Sequence, residues 1–222
     1  MKLKILVTAG NTQSPVDRVR CITNIFTGKT GARIAAAAFD RGHAVTLFTS
    51  HSEVLEAIPT IRPRQGPGWT VKTYRTYDEL AALMSTAIPG GAFDTIVHAA
   101  AVNDYEVAGI FAADRTDVSA GKIKGSHPEL WLKLVPTPKL VDRIRTDWGF
   151  RGTLVKFKLE VGVADEELLK IAEASRMHSR ADLMVANTLD GYDWAFVGSK
   201  DYIRVLREAL PVELVKRLES IR

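Results

Sequence analysis

Short apolar runs alternate with helical patterns along most of the chain, and this alternation limits the possible folds more than any other feature. Strands are predicted at 3–8, 44–49, 69–74, 95–101, 130–135, 153–158, 183–187 and 194–197. Helices are predicted at 29–41, 76–88, 138–146, 165–179 and 200–221, the last of them interrupted near Pro211. Strands that are separated by helices pair in parallel and are covered on both faces. The sequence therefore predicts a single α/β domain over residues 1–222, with a doubly wound, Rossmann-like and mostly parallel sheet.

A long polar loop, residues 10–31, joins the first predicted strand to the first helix. The helix begins near Lys29, directly after a glycine, and such a helix N-terminus presents unpaired backbone N–H groups to an anion. The loop is much longer than a simple turn and carries Asp17, Arg20 and Asn24, which can bind a polar substrate. Asp17 is also suited to holding the loop through hydrogen bonds to backbone N–H groups.

Other polar or small residues follow the ends of later strands. Ligands of open α/β sheets bind outside the carboxyl ends of the strands. Gly10, Ala99–Asp104, Pro136–Pro138 and Asn187 all fall at such ends. These groups are therefore predicted to meet at one edge of the sheet.

Residues 103–128 show no strong periodicity and are polar and glycine-containing. An irregular segment of this length inside a compact domain is usually functional or mobile. It carries Lys122, whose flexible ammonium suits closure over a phosphate group. We predict a mobile loop here.

Familiar nucleotide motifs are absent from the first loop. A P-loop ending at Gly28-Lys29-Thr30 would need glycine at position 23, where the chain has Thr23. The dinucleotide pattern G-x-G-x-x-G is broken by Asn11 and Thr12, and no Tyr-x-x-x-Lys pair occurs in the sequence. These absences argue against a dehydrogenase.

Composition excludes several classes of function. The formal net charge is +4, and the absence of a long basic run or a known nucleic-acid motif predicts no nucleic-acid partner. No apolar run approaches the roughly 18 residues of a membrane span. The single cysteine, Cys21, excludes an internal disulfide and fits a reducing compartment, so a cytoplasmic location is predicted. The histidines form no metal-ligand spacing, and His98 in an apolar strand is expected to be a core residue.

Several ordered motifs resemble those of the phosphopantothenoylcysteine synthetases (phosphopantothenate–cysteine ligases) of coenzyme A biosynthesis. The family's first loop is matched at Thr8, Gly10, Thr12, Pro15, Asp17, Val19, Arg20, Asn24, Gly28, Lys29 and Gly31. Its later motifs are matched at Ala99–Tyr105, Lys122–Lys124, Leu134–Leu140, Phe157–Glu160 and Val185–Asn187. The resemblance covers about residues 3–190.

The resemblance implies a stand-alone ligase that joins 4'-phosphopantothenate to L-cysteine through an acyl-nucleotidylate. It implies Mg2+, ATP or CTP as co-substrate, and a homodimer in which each subunit helps to close the other's site. Asn24 would contact the acyl intermediate, Lys122 would act on the triphosphate, and Arg20 and Asp17 would lie on the substrate side. The implied nucleotide-binding residues are Gly10, Gly28, Gly31, Ala99, Ala100, Ala101, Asp104, Lys122, Val135, Pro136, Thr137, Pro138, Phe157 and Asn187.

The chain departs from the family pattern at several positions. Asn11 stands where the family has a second glycine, and Lys156 replaces a glycine that is common in bacterial members. Two lysines that contact the triphosphate in bacterial members align with Ser175 and Ser179, one residue ahead of Arg176 and Arg180, respectively, which are candidate substitutes. Two alternatives stay open: a non-catalytic nucleotide-binding relative, and an NAD(P)-dependent oxidoreductase on a Rossmann-like sheet.

Overall fold

The computed structural model describes residues 2–57, 66–119, 122–191 and 193–221. Its strands are β1 (Lys4–Ala9), β2 (Gln13–Pro15), β3 (Cys21–Thr23), β4 (Ala44–Thr49), β5 (Trp69–Thr73), β6 (Thr95–His98), β7 (Tyr105–Ala112), β8 (Leu130–Pro136), β9 (Thr153–Glu160), β10 (Leu183–Thr188), β11 (Trp194–Gly198) and β12 (Ile203–Leu206). Its helices are α1 (Lys29–Asp40), α2 (Val54–Ala57), α3 (Tyr77–Ala87), α4 (Leu140–Thr146), α5 (Asp165–His178) and α6 (Leu210–Ser220). None of the helices in these ranges is both long enough and apolar enough to cross a membrane.

Eight strands form one sheet in the order β12-β11-β10-β9-β6-β1-β4-β5. The six strands from β10 to β5 pair in parallel, and β11 and β12 extend this sheet with antiparallel pairs. The predicted α/β fold with a mostly parallel sheet is confirmed.

Alternate residues of the central strands point to two separate cores. Val7 and Val185 pack in one core with Ile34 of α1 and Leu214 of α6. Leu6, Ile96 and Leu154 pack in the other with residues of α3 and α4. The period of two along buried strands assigns each side chain to one face, so helices cover both faces, as the doubly wound prediction required.

The structure differs from the sequence predictions in several segments. Residues 130–135 do form a strand, but β8 pairs with β7 in a separate two-stranded ribbon. The segment 103–128 is therefore not irregular throughout: β7 occupies its first part, and a register shift between Val107 and Gly109 interrupts the alternation that would have identified a strand. Residues 120 and 121 lie outside the described residues, and mobility of this loop stays a prediction.

The helix predicted at 200–221 is wrong in its first half. Ile203–Leu206 is strand β12, whose β-branched residues pair with β11 at the sheet edge. The helix begins at Leu210 and has proline in its first turn, where a missing N–H costs no helical hydrogen bond. The long first loop also holds a small hairpin, β2 with β3, that was not predicted.

The last turn of α6 is tied to the sheet by a charged cluster. The Leu3 backbone N–H donates to His43 Nδ1 at 3.2 Å, so the other ring nitrogen of buried His43 donates to Glu219 Oε1 at 2.9 Å. Arg41 donates through Nε to the same carboxylate at 3.0 Å. The hydrogen bond from Arg41 is the main cause that lowers the pKa of Glu219 from 4.5 to about 2, and the bond from His43 adds to it.

A carboxylate with a lowered pKa stabilises the fold above its ordinary pKa and loses that contribution as the pH falls. For Glu219 the loss should occur between pH 4.5 and about 2. Glu219→Gln should lower the free energy of unfolding at pH 7 by about 1 kcal/mol, because the pair is partly exposed. Urea unfolding from pH 7 to 2.5 should show a weaker acid dependence in this variant than in the parent. Glu129→Gln, at an exposed position, is the control, and an unchanged acid dependence in Glu219→Gln would contradict the assignment.

Candidate active site at the carboxyl edge of the sheet

Backbone contact between two glycines forms the floor of the site. Gly10 ends β1 with a positive φ of 91°, and Gly28 precedes α1 with a φ of 79°. A Cβ atom on Gly28 would lie 2.1 Å from the Gly10 nitrogen, so only glycine fits this approach. At Gly31 a Cβ would lie 2.7 Å from the Ala9 Cβ, which sets α1 close to the strand. The three predicted glycines therefore meet.

The N-terminus of α1 faces this edge without a side-chain cap. Gly28 is the N-cap residue, and no side chain accepts a hydrogen bond from the first turn of the helix. The backbone N–H groups of that turn are the donors that a phosphate or carboxylate would use. This geometry agrees with the anion site predicted from the sequence.

Asn24 lies between this loop and the segment after β6. Its Nδ2 donates to the Ala101 carbonyl at 3.0 Å and to Asn103 Oδ1 at 2.9 Å. The Asn11 side chain donates in turn to the Asn24 carbonyl at 2.7 Å. Both amide hydrogens of Asn24 are thus used inside the protein. Among the residues that the structure describes, none donates to its Oδ1 atom, which is the acceptor that a substrate N–H or O–H group would meet.

The residues after β6 continue alongside β1 and the first loop. Ala101 N donates to the Gly10 carbonyl at 2.8 Å. Asn103 is the central residue: its backbone N–H donates to Thr12 Oγ1 at 2.8 Å and its Nδ2 donates to the Ile22 carbonyl at 3.1 Å. Sequence reasoning missed Asn103, although it lies beside Asp104 in the alanine motif, which we define as Ala99–Tyr105.

The residues after β8 reach the same place. Thr137 is buried, and its hydroxyl donates to the Asn103 carbonyl at 2.6 Å while its backbone N–H donates to the Asp104 carbonyl at 2.9 Å. Pro136 and Pro138 flank it, and the end of β8 is thereby placed against the alanine motif. The Asp104 carboxylate pairs with Lys139, and both side chains are more than half exposed. Lys139 was not identified from the sequence.

Asp17 and Arg20 hold the segment that carries Lys122. Asp17 accepts hydrogen bonds from the backbone N–H groups of Val19 at 2.9 Å and Ile123 at 3.2 Å. Both bonds lower the pKa of Asp17, and the bond from Val19 has the larger effect. Arg20 donates to the Ile123 carbonyl at 3.2 Å. Ile123 is buried by this clamp and the adjacent Lys122 is exposed. The backbone bonds predicted for Asp17 are present, and a substrate role for either clamp residue stays a prediction.

Phe157 and Asn187 lie farther along the same edge, on β9 and β10. Phe157 is partly buried against the core that contains α1 residues. Asn187 is buried near the carboxyl end of β10, where its Nδ2 donates to the Thr188 carbonyl at 3.0 Å. Alternation along the paired strands places both side chains on the α1 face, the face on which the free N–H groups lie.

Arg176 and Arg180 do not reach this edge within the chain. Arg176 pairs with Glu173 and donates to the Ala181 carbonyl at 2.6 Å. The Arg180 carbonyl accepts from Arg145, ahead of the amino end of β10. Helix α5 runs antiparallel to the strands, so its last turn lies at the edge of the sheet opposite Gly10. Both arginines therefore lie at that opposite edge.

Lys156 and the aligned serines form a structural link between the sheet and two helices. Lys156 Nζ donates to Ser179 Oγ at 2.6 Å and to the Ser175 carbonyl at 3.1 Å. Ser179 donates to Asp142 of α4. His98 is buried next to Thr8, with 2.9 Å between Nδ1 and the threonine hydroxyl, and burial is the main cause that lowers its pKa to about 4. It is the core histidine that the sequence predicted.

The sequence of this chain is similar to those of several known proteins. Residues 1–219 match the family model described as the DNA/pantothenate metabolism flavoprotein C-terminal domain. The coenzyme A biosynthesis bifunctional protein CoaBC of Thermococcus kodakarensis is 35% identical over 220 residues, which is 97% of this chain and 49% of the relative. The protein of the same name from Escherichia coli K12 is 31% identical over 191 residues, 83% of this chain and 41% of the relative. The chain thus spans about half the length of these relatives.

Solved structures share the fold. The DNA/pantothenate metabolism flavoprotein of Streptococcus pneumoniae superposes with a TM-score of 0.85 at 24% identity, covering 99% of this chain and 100% of that one. A mutant of Cab2 in complex with phosphopantothenate-cysteine superposes with a TM-score of 0.73 at 17% identity, covering 98% of this chain and 85% of that one. The chain therefore belongs to the pantothenate-metabolism family whose C-terminal domain it matches, as its ordered motifs predicted.

Proposed function

We propose that this chain is a ligase that joins the carboxylate of 4'-phosphopantothenate to the amine of L-cysteine in coenzyme A biosynthesis. The observation that carries this proposal is the placement of Asn24 beside the alanine motif and the glycine floor. The names of the CoaBC relatives support the pathway, and the ligand in the Cab2 complex supports the product.

The first half-reaction activates the carboxylate. At neutral pH a carboxylate is a poor acyl donor, so an oxygen of phosphopantothenate attacks the α-phosphorus of ATP or CTP and pyrophosphate leaves with the bonding electrons. The N–H groups of α1 bind phosphate oxygens, and Lys122 neutralises charge that develops on them. The clamp of Asp17 and Arg20 connects the segment that carries this lysine to the first loop, which leads into α1.

Mg2+ fits this site as a partner of the triphosphate. The described residues contain no group of three or more His, Cys, Asp or Glu side chains arranged to hold a metal ion. Mg2+ is commonly held by one or two carboxylates together with substrate phosphates, and Asp104 supplies an exposed carboxylate at this edge. When bound, the ion supplies additional neutralisation of phosphate charge.

The second half-reaction transfers the acyl group to cysteine. The amine nitrogen attacks the acyl carbon, the nucleoside monophosphate leaves with the electrons of the acyl–oxygen bond, and the amine loses a proton. Because both N–H bonds of Asn24 are used internally, its Oδ1 accepts a hydrogen bond from the attacking amine and orients it.

The exposed thiol of Cys21 is consistent with a reducing compartment such as the cytoplasm.

Purified protein with Mg2+, nucleotide, phosphopantothenate and cysteine should release pyrophosphate and form phosphopantothenoylcysteine. ATP and CTP are compared in parallel, because the family resemblance implies either nucleotide as co-substrate. Omission of phosphopantothenate is the control, since pyrophosphate release must depend on it. Nucleotide binding without pyrophosphate release would identify a non-catalytic relative, and tight binding of NADPH would favour an oxidoreductase.

Substitutions at Asn24 and Lys122 should separate the two half-reactions. Asn24→Asp replaces both donors with a carboxylate that faces the Ala101 carbonyl and Asn103 Oδ1. We expect the acyl-nucleotidylate to accumulate while cysteine transfer slows at least ~100-fold, about 2.7 kcal/mol of transition-state stabilisation. Lys122→Gln should slow the first half-reaction instead, and Lys124→Gln is its matched control. Equal loss of the same step in Asn24→Asp and Lys122→Gln would refute these roles.

We also propose a homodimer formed through the β7–β8 ribbon. Leu130, Leu132 and Leu134 are 36%, 40% and 45% exposed, and alternation along β8 places them on one face of the ribbon. Tyr105 of β7 is paired with Pro136 and is 54% exposed on the same face, whereas Trp131, which is 45% exposed, lies on the opposite face. An exposed apolar face of this kind usually marks an interaction site. The ribbon leads directly into Thr137, so contact between two ribbons would order residues of each site.

Charge placed on the ribbon should dissociate the dimer. Leu132→Glu with Leu134→Glu puts two carboxylates on the exposed apolar surface, where burial without a partner is costly. Light scattering after size exclusion should show a dimer for the parent and a monomer for this variant. Leu206→Glu, at an apolar residue that is 67% exposed on β12, should remain dimeric. A monomeric parent, or a dimeric ribbon variant, would contradict the proposed interface.

A further inference from the structure

A second cluster of polar side chains lies beside the glycine floor, where β4 ends. Ser50 accepts from the Asn11 backbone N–H at 2.8 Å, and its hydroxyl donates back to Asn11 Oδ1 at 3.2 Å. His51 Nε2 lies 3.3 Å from the same Oδ1 atom, and His51 Nδ1 lies 2.6 Å from Glu53 Oε1. The cluster connects the end of β4 with the loop that contains Asn24.

The hydrogen-bond partners fix the orientation of the Asn11 amide. Its Nδ2 faces the Asn24 carbonyl at 2.7 Å, and a carbonyl can only accept. Its Oδ1 must therefore face Ser50 and His51. An amide oxygen can only accept, so His51 Nε2 has to carry a proton to make this contact.

The second ring nitrogen is constrained in the same way. The hydrogen bond from His51 is the main cause that lowers the pKa of Glu53, so this carboxyl group is ionised and accepts only. His51 Nδ1 therefore also faces an acceptor, and the ring lies between Asn11 Oδ1 and Glu53 Oε1.

We propose that His51, held by Glu53, is a positioning residue for cysteine transfer. It fixes the Asn11 amide, which holds the backbone of Asn24, whose side chain in turn receives the attacking amine. His51 acts through Asn11. The family's glycine at position 11 offers no such side chain, so this link belongs to chains that carry asparagine there. The inference rests on the proposed function for its kinetic consequence.

The kinetic test is a double-mutant cycle between His51 and Asn11 on the full-length chain. His51→Ala should slow cysteine transfer about tenfold, the effect of losing one hydrogen bond. Formation of the acyl-nucleotidylate should stay within about twofold of the parent, because the proposed link ends at Asn24, which the proposed mechanism assigns to cysteine transfer. In Asn11→Gly, the further change His51→Ala should have no additional effect. His178→Ala, at an exposed histidine on α5, is the control and should leave both steps unchanged.

A spectroscopic test does not depend on ligase activity. In ligand-free protein, His51 Nε2 should show the 15N shift of a protonated nitrogen, because it donates to Asn11 Oδ1. The Asn24 side-chain amide signal should shift in His51→Ala but not in His178→Ala. If the parent shows no ligase activity, the proposed function fails while this test still decides the positioning role.

Four results would each overturn the inference. In the spectroscopic test they are an unprotonated Nε2 atom in His51 and an Asn24 amide signal that does not respond to His51→Ala. In the kinetic test they are a His51→Ala defect that is equal in both half-reactions and a defect that is equal with and without Asn11. Any of them would reduce His51 to a residue that merely supports the loop.

Discussion

The site depends on one close contact, between the backbones of Gly10 and Gly28. A Cβ atom on any residue type other than glycine at position 28 would overlap the backbone of Gly10. The start of α1 could then not lie against the end of β1. This contact closes the long first loop into a ring and leaves the first turn of α1 uncapped at the edge of the sheet. It also returns the loop to β1, so that the hairpin and Asn24 project over the ends of neighbouring strands.

A network of amide hydrogen bonds then converts the sheet edge into a defined site. Asn11, Asn24 and Asn103 connect the ends of β1 and β6 with the loop, and Thr137 connects β8 to the same residues. An asparagine amide donates and accepts on opposite sides, so each link fixes the direction of the next. Such a chain leaves a few groups, such as Asn24 Oδ1, available to a ligand.

Several charged residues on β9, α4 and α5 are used for packing. Lys156, Ser179 and Asp142 join β9 to α4 and α5, and Arg176 pairs with Glu173. Burial lowers the pKa of Lys156, and the nearby Asp142 carboxylate opposes that shift. Arg176, which the sequence offered as a phosphate ligand, is therefore held in the framework, and Lys122 and the α1 terminus are the phosphate-binding groups of the proposed mechanism.

The sequence by itself determined the parallel sheet, the cover on both faces and the edge at which the site lies. Periodicity and the ends of apolar strands are local properties, and they identify residues such as Gly10 and Ala101. Asn24 was identified instead by the polar first loop and by the family resemblance. Only the tertiary structure decided that β8 leaves the main sheet for a ribbon, that Arg176 and Arg180 lie at the far edge, and that His51 and Asn103 join the network. Strand partners and side-chain contacts between residues far apart in the chain depend on packing, which no local pattern encodes.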